Sequence, residues 1–370
     1  MPRVQEKARV GAKELTAMMT VLVAIHVFLD YPAYVSRYGL EAAWMEPVIS
    51  GVVALILFLC AEMMLRRYFP NDSIVEVVRG TLGPWAAGCI ALVFAAYLIL
   101  ITASIMREFM ENVITSVLPA TPILVVGGLF ILTVGYMVHT GLEGIARVST
   151  MAWPVLVLGV LALCLLTINY WHPYFLVPFW GKGPSQVLLG SVNSTAIFLN
   201  VLLLCVVYPH AHNPRDLRRV GVISTIQTVI VLTGFILCYH MVFAPEETTK
   251  LASPMYAVAR LIHIGHFVQR LESVFVFMWV SAAVVKLAIT LWSAAYLLAA
   301  GFGWPTYRPL LPALCMLCLA ISLLPHDVAS AFEMHGDVLM RWGWIISFAA
   351  PLLLLGAGIL RRRRERTRRA

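Results

Sequence analysis

The chain has 370 residues, 61% of them hydrophobic and only 12% charged, against about 25% charged in an ordinary soluble domain. With a mean hydropathy of +0.85 and apolar runs longer than the roughly 18 residues that cross a bilayer as a helix, this is the sequence of an all-α, polytopic membrane protein. That deficit of charge excludes a soluble enzyme, a disordered chain and a nucleic-acid-binding module, and the net charge of +8 is gathered largely in the C-terminal tail.

Lys7, Arg9 and Lys13 precede an apolar run that starts at Leu15. No small-residue cleavage site follows, so the run reads as a retained first helix and not as a signal peptide. Hydropathy and Pro/Gly/charge punctuation then predict ten spans, at about 15–35, 44–66, 84–117, 122–139, 146–168, 187–208, 218–242, 270–300, 308–324 and 341–360. The third and eighth exceed what a bilayer needs and are expected to tilt or protrude. Residues 1–14 form a cytoplasmic segment, 15–360 a single transmembrane domain, and 361–370 a basic tail whose seven arginines suit anionic lipid. All seven cysteines lie in apolar runs, where they pack as small hydrophobes. Cys315-x-x-Cys318 sits in mid-span without the further ligands a metal would need, so no metal or cofactor is expected.

Two spans look interrupted. The first breaks at Asp30-Tyr31-Pro32, where proline removes a backbone donor. The sixth passes through Gly190-Ser191-Val192-Asn193-Ser194-Thr195, a small, polar and β-branched run in an apolar segment. Paired interruptions in corresponding members of two halves are the sequence pointer to a transporter-type substrate site. Phe28, Leu29 and Asp30 at the first break, with Asn193, Ser194, Phe198 and Asn200 around the second, are therefore candidate ligand-binding residues. Tyr97 in the third span and Trp279 and Trp292 in the eighth complete the set, because aromatic and amide groups suit a small-molecule cavity.

Charges inside spans are costly and sit where they have partners or water. His26 and Asp30 share a face if the first helix is continuous. Arg107, Glu108 and Glu111 cluster near one end of the third span, with Arg107 able to pair with Glu111 at i, i+4. Lys286 lies inside Val284-Val285-Lys286-Leu287-Ala288, with no acid within two turns. It needs a partner from another helix, or it reaches the inner surface with its long stem. Lys286, Arg107 and Glu108 are the candidate structural or coupling charges. No phosphate loop, nucleophile elbow or metal-ligand cluster appears, so the chain is not expected to be an enzyme or an ATP-driven pump.

The ordered set Arg107-Glu108-Phe109, Leu118-Pro119-Ala120-Thr121-Pro122, Gly141-Leu142-Glu143-Gly144-Ile145-Ala146-Arg147 and Pro178-Phe179-Trp180-Gly181-Lys182-Gly183 resembles a known family. A longer stretch continues it, from Ser253-Pro254 through Arg260, Gly265, Gln269-Arg270-Leu271-Glu272 and Phe275 to Trp279 and Lys286. The resemblance is to the permease-like B subunit of bacterial spore-germination nutrient receptors, within the amino acid–polyamine–organocation superfamily, and covers about residues 10–361. It implies a leucine-transporter-like fold of two inverted five-helix repeats, and a small nutrient germinant, usually an amino acid, held between helices one, three, six, eight and ten. It also implies two partners, an A-type membrane subunit and a C-type lipoprotein subunit, in the spore inner membrane. One departure stands out: where the family has glycine in the first helix, this chain reads His26-Val27-Phe28-Leu29-Asp30-Tyr31-Pro32. Another is at Asn200, near a position where the family often carries an acid.

Three functions compete on the sequence. A germinant-binding receptor subunit predicts obligatory partners and binding without sustained flux. A stand-alone proton- or sodium-coupled amino-acid transporter predicts uptake by this chain alone. A purely structural subunit predicts that changes in the cavity are silent. Placing both termini in the cytoplasm puts nineteen Lys and Arg on inner segments against six on outer ones, as the positive-inside rule requires. Reporter fusions after Arg219 and at Ala370 are expected to read cytoplasmic, and one near Lys250 external; an external Ala370 would break the even helix count.

Overall fold

The computed structural model describes residues 9–369 except 71, 252, 263–271, 326–329, 331–335 and 337–338. In chain order the helices are α1 (Ala12–Ala24), α2 (Tyr31–Gly39), α3 (Met45–Tyr68), α4 (Ile74–Leu82), α5 (Pro84–Ser116), α6 (Ile123–His139) and α7 (Gly141–Leu166). They continue with α8 (Pro184–Ser194), α9 (Asn200–Val207), α10 (Leu217–Val242), the short α11 (Pro245–Thr248) and α12 (Pro254–Arg260), α13 (Glu272–Phe302) and α14 (Leu311–Ser322). A helical turn at Arg341–Trp344 and a π turn at Ile345–Ala349 lead into a last helix, Ala350–Arg369, which carries the basic tail as a continuous extension.

Among the described residues, seven helical spans are long and apolar enough to cross a membrane, or eight when the bent α1–α2 pair is taken as one. The chain is an integral membrane protein. The two remaining predicted spans correspond to α6 and α14, which are apolar but shorter. The motif residues Gly265 and Gln269-Arg270-Leu271 lie outside the described residues. Besides the short α11 and α12, one longer helix was not expected: α4 falls between two predicted spans. Its start is written in Ser73-x-x-Glu76, where the Glu76 carboxylate accepts the Ser73 N–H at 2.7 Å and the Ser73 hydroxyl accepts the Glu76 N–H at 3.4 Å. Arg79 on α4 then donates to the carbonyls of Ala300 and Gly301 at 2.6 and 2.7 Å, satisfying groups that the end of α13 leaves open.

Both interruptions occur, and both are displaced from where the sequence places them. α1 tightens into a 3-10 turn at Ile25–Phe28, and α2 departs at 69°. Pro32 belongs to the first turn of α2, where a missing N–H costs nothing; the break lies just before Asp30-Tyr31-Pro32. In the sixth span, α8 runs unbroken through Gly190–Ser194, and the 3-10 turn follows at Thr195–Phe198. The hydroxyls of Ser191 and Thr195 bond back to the carbonyls of Val187 and Ser191 at 2.7 and 2.9 Å. In a bilayer such bonds keep small polar residues inside a helix instead of dissolving it.

The core is built on α5 and α13. Their faces carry small residues, so the backbones approach closely: a methyl on Gly301 would stand 2.3 Å from Ala91 Cβ. Thr102 donates to Thr290 across the same interface at 2.7 Å. The α3–α10 contact is equally tight. A methyl on Gly221 would stand 1.9 Å from the buried Phe58 ring. Gly221→Ala is expected to lower stability by about 1–3 kcal/mol, read as a lower thermal midpoint in detergent, with Phe58→Leu in the same chain restoring part of it. An unchanged midpoint would show that the ring moves freely.

Candidate functional site

The break after α1 leaves the imidazole of His26 deep in the molecule. Its Nδ1 lies 2.8 Å from the carbonyl of Val23, an acceptor only, so Nδ1 carries the hydrogen and Nε2 presents a lone pair. Lys286 of α13 fills that position: its Nζ donates to Nε2 at 2.8 Å. Lys286 is 1% exposed, so the reading of a lysine reaching the membrane surface is excluded. Its expected partner from another helix is a side chain at the first break.

Two acids complete the group. Asp30, just ahead of α2, and Glu108 of α5 are both buried. Their carboxyl groups lie within hydrogen-bonding reach of each other, and Lys286 is close enough to both to interact with them through charge. Three helical segments, α2, α5 and α13, thus bring two acids and an amine together where water is scarce. Each is tolerable there only because the others are present. The break places His26 and Asp30 on different helical segments, so they do not share one helix face. Arg107 turns away from this group, forming the expected ion pair with Glu111 at 2.6 Å and donating to the Ser322 carbonyl at 3.3 Å.

Beside Lys286 and His26 lies a small cavity of about 20 Å3, room for about one water. Tyr97, Ile101 and Ile105 of α5 form one wall. Ala196, Ile197 and Leu199, the residues of the second break, form another, and Leu339 and Met340 close it. Residues of the first, third, sixth and eighth predicted spans line this cavity, while Leu339 and Met340 lie just before the tenth. The Tyr97 hydroxyl meets Ser347 at 3.1 Å, and Gly343 is required there, since a methyl would stand 2.3 Å from the Tyr97 oxygen. A second small cavity, of about 20 Å3, lies toward α12 and is lined by Phe28, Ser253, Met255, Tyr256, Ala259, Val276 and Trp279. Trp279 packs at a tilt against Phe109, with ring centroids 5.0 Å apart, and Ser253 is hydrogen-bonded to Asn112.

Comparison with known proteins was made against this geometry. A sequence model of the family described as "Spore germination protein" matches residues 12–331. The chain belongs to that family. Spore germination protein KB of Bacillus subtilis is 24% identical over 292 residues, covering 78% of this chain and 77% of that protein. Spore germination protein YndE of the same organism is 23% identical over 96% of this chain and 99% of its own length. Spore germination protein A2, also from Bacillus subtilis, is 22% identical over 90% of each. Among solved structures, MhsT in complex with L-phenylalanine superposes with a TM-score of 0.66 at 15% identity, over 93% of this chain and 87% of its own. Mhp1, a nucleobase-cation-symport-1 family transporter, gives 0.60 at 14% identity, over 97% and 91%. This germination-family protein therefore has the leucine-transporter-like fold.

The predicted site residues divide accordingly. Tyr97 lines the central cavity, and Asp30, Glu108 and Lys286 form the charged group beside it. Phe28 and Trp279 belong to the second cavity. Leu29 is buried between the two helical halves. Phe198 points toward Gly51 on α3. Asn200 donates to Thr225 on α10 at 3.4 Å, and Asn193 is buried in the last turn of α8. Ser194 donates to Glu46 at 3.3 Å. Trp292 stacks with Tyr296 and meets His210 edge-on, away from the cavity. Sequence reasoning missed the apolar lining (Ile101, Ile105, Ala196, Ile197, Leu199, Leu339 and Met340), because in a membrane helix an apolar residue facing a cavity reads like one facing lipid. It also missed Glu46, whose signal was available: an acid opening an apolar span.

Lys286→Met would leave Asp30 and Glu108 buried without their cation. The expected cost is about 3–5 kcal/mol, seen as a lower thermal midpoint of the purified chain. Lys286→Arg is expected to recover little, because a planar fork does not reproduce a point contact on Nε2. A wild-type midpoint in Lys286→Met would mean that the acids carry no charge needing compensation.

Proposed function

We propose that this protein is the nutrient-binding membrane subunit of a spore-germination receptor, with the ligand held in the cavity between the two helix breaks. The observation that carries the reading is the asymmetry of that cavity. Lys286 stands at one end with Asp30 and Glu108 behind it, and the remaining walls are almost wholly apolar. A free amino acid matches this arrangement, with its charged end at the cluster and its side chain among Ile101, Ile105, Ala196 and Leu339. At about 20 Å3 the cavity holds about one water, so in this reading the nutrient enters as these walls move apart. MhsT, which shares the fold, is described in complex with an amino acid, L-phenylalanine.

In this reading, ligand entry changes how α2 and α8 sit relative to α5 and α13, and that change is passed to an A-type membrane subunit and a C-type lipoprotein in the spore inner membrane. Both termini are cytoplasmic, and the arginine helix after Leu360 rests on anionic lipid. The chain acts as a sensor and not as a catalyst.

A filling substitution tests the site. Ala196→Phe should block the cavity while leaving the buried charges intact. Spores carrying it are expected to hold normal protein levels and to need at least about tenfold more nutrient, the loss expected when one well-placed set of contacts worth about 1.4 kcal/mol is removed. The purified chain in nanodiscs is expected to bind one member of an amino-acid panel saturably, and Ala196→Phe to abolish that binding. Wild-type dose–response curves in the variant would move the ligand elsewhere. Sustained uptake by the chain alone in liposomes would instead favour a transporter.

A further inference from the structure

Glu46 opens α3 and is 0% exposed. One of its oxygens, Oε2, accepts from the Ser194 hydroxyl at 3.3 Å, whereas Oε1 has no hydrogen-bond partner. Among the described residues no lysine, arginine or histidine pairs with it. The nearby Lys182 is occupied, donating to the Arg37 carbonyl at 2.6 Å. The chain nevertheless makes room for this carboxylate. A methyl on Gly190 of α8 would stand 2.5 and 2.6 Å from its two oxygens, and one on Gly39, the last residue of α2, 3.0 Å from Oε1. The hydroxyl of the buried Tyr31 adjoins Ser194 and lies within electrostatic reach of Glu46.

We propose that Glu46, with the hydroxyls of Ser194 and Tyr31, forms a binding site for one monovalent metal cation between α2, α3 and α8. A carboxylate removed from water needs a compensating charge, and no protein group here supplies it. The donors are all oxygen, without sulfur or imidazole, which selects a hard cation. One carboxylate balances one positive charge. A divalent ion would want more acids than the site has, and no group of three His, Cys, Asp or Glu that could hold a metal occurs among the described residues. A proton on Oε2, donating to the Ser194 hydroxyl 3.3 Å away, is the competing answer to the same charge, and the salt series below separates the two.

The position gives the site a consequence. α2 follows the first break and α8 precedes the second, so a bound cation would fasten together the two half-helices that flank the central cavity. α3 and α8 are already joined one turn further along, where Ser50 donates to the Ser191 carbonyl at 2.8 Å. The cation would therefore act chiefly on α2.

The test uses the full-length chain in nanodiscs, melted at fixed pH and ionic strength in choline chloride and in matched lithium, sodium, potassium and magnesium chlorides. At least one alkali cation is expected to raise the midpoint saturably, with magnesium and choline equivalent to each other. Glu46→Gln, nearly isosteric, is expected to fold and to lose the cation response. Ser194→Ala and Tyr31→Phe are each expected to raise the half-saturating concentration about fivefold, the worth of one net polar contact. Identical wild-type curves in every salt would overturn the proposal, as would a full cation response in Glu46→Gln. A midpoint that follows pH but not cation identity would assign the site to a proton, and equally overturn it. Should Glu46→Gln not fold, unchanged half-saturation in both hydroxyl variants decides against the site. No nutrient response is read, so the outcome is independent of the proposed receptor role.

Discussion

Lys286 donating to His26 is the contact on which the middle of this molecule depends. A lysine in the interior of a membrane protein must find an acceptor and a counter-charge or leave. Here the acceptor is an imidazole that a continuous first helix would not present in this way. The 3-10 turn at Ile25–Phe28 lets the His26 ring sit with Nδ1 on the Val23 carbonyl and Nε2 on Lys286. Asp30, a few residues on, comes round beside Glu108. The break, the lysine and the two acids are one unit, because each removes a cost that the others would otherwise impose. The small cavity lies directly against this unit, with His26, Lys286 and Tyr97 as its polar lining and Ile101, Ile105, Ala196, Ile197, Leu199, Leu339 and Met340 as its apolar lining.

The two half-helices α2 and α8 are held differently from the core that they flank. α5 and α13 meet through alanine and glycine, with Thr102 bonded to Thr290 between them, and form the stiff side of the cavity. α2 is fastened by fewer and more polar contacts. Ser36 meets the buried His240 at 2.9 Å, and Lys182 caps its far end. An element tied by a handful of polar bonds across a 69° bend can change position at less cost than one packed over its whole length.

Glycine and hydroxyl residues do much of the positioning, in ways that a reading of hydropathy does not register. Gly343 admits the Tyr97 hydroxyl to Ser347, Gly221 seats Phe58, and Gly190 lies flat against Glu46. Ser191 and Thr195 keep the sixth span helical about one turn further than their polarity suggests. The run Gly190–Thr195 is thus a packing surface that meets α3, and the true opening of the helix falls on Ile197–Leu199, where nothing in the side chains announces it.

The membrane class, the order of the apolar segments, the presence of a break in the first and sixth spans, the Arg107–Glu111 pair and the family were legible in the sequence alone. Each depends on composition, local spacing or an ordered set of motifs. What lay beyond it depends on which way a residue faces. Lys286 had no acid within reach along the chain, and only folding brought His26, Asp30 and Glu108 to it. The cavity lining was invisible because lipid and cavity select the same apolar residues. The exact breaks shifted by several residues, since Pro32 is at ease in a first helical turn and serine hydroxyls can bond back to their own helix. Hydrophobicity told the chain where to enter the bilayer; only tertiary packing, by bringing distant polar groups together where no water could satisfy them, decided where its chemistry would lie.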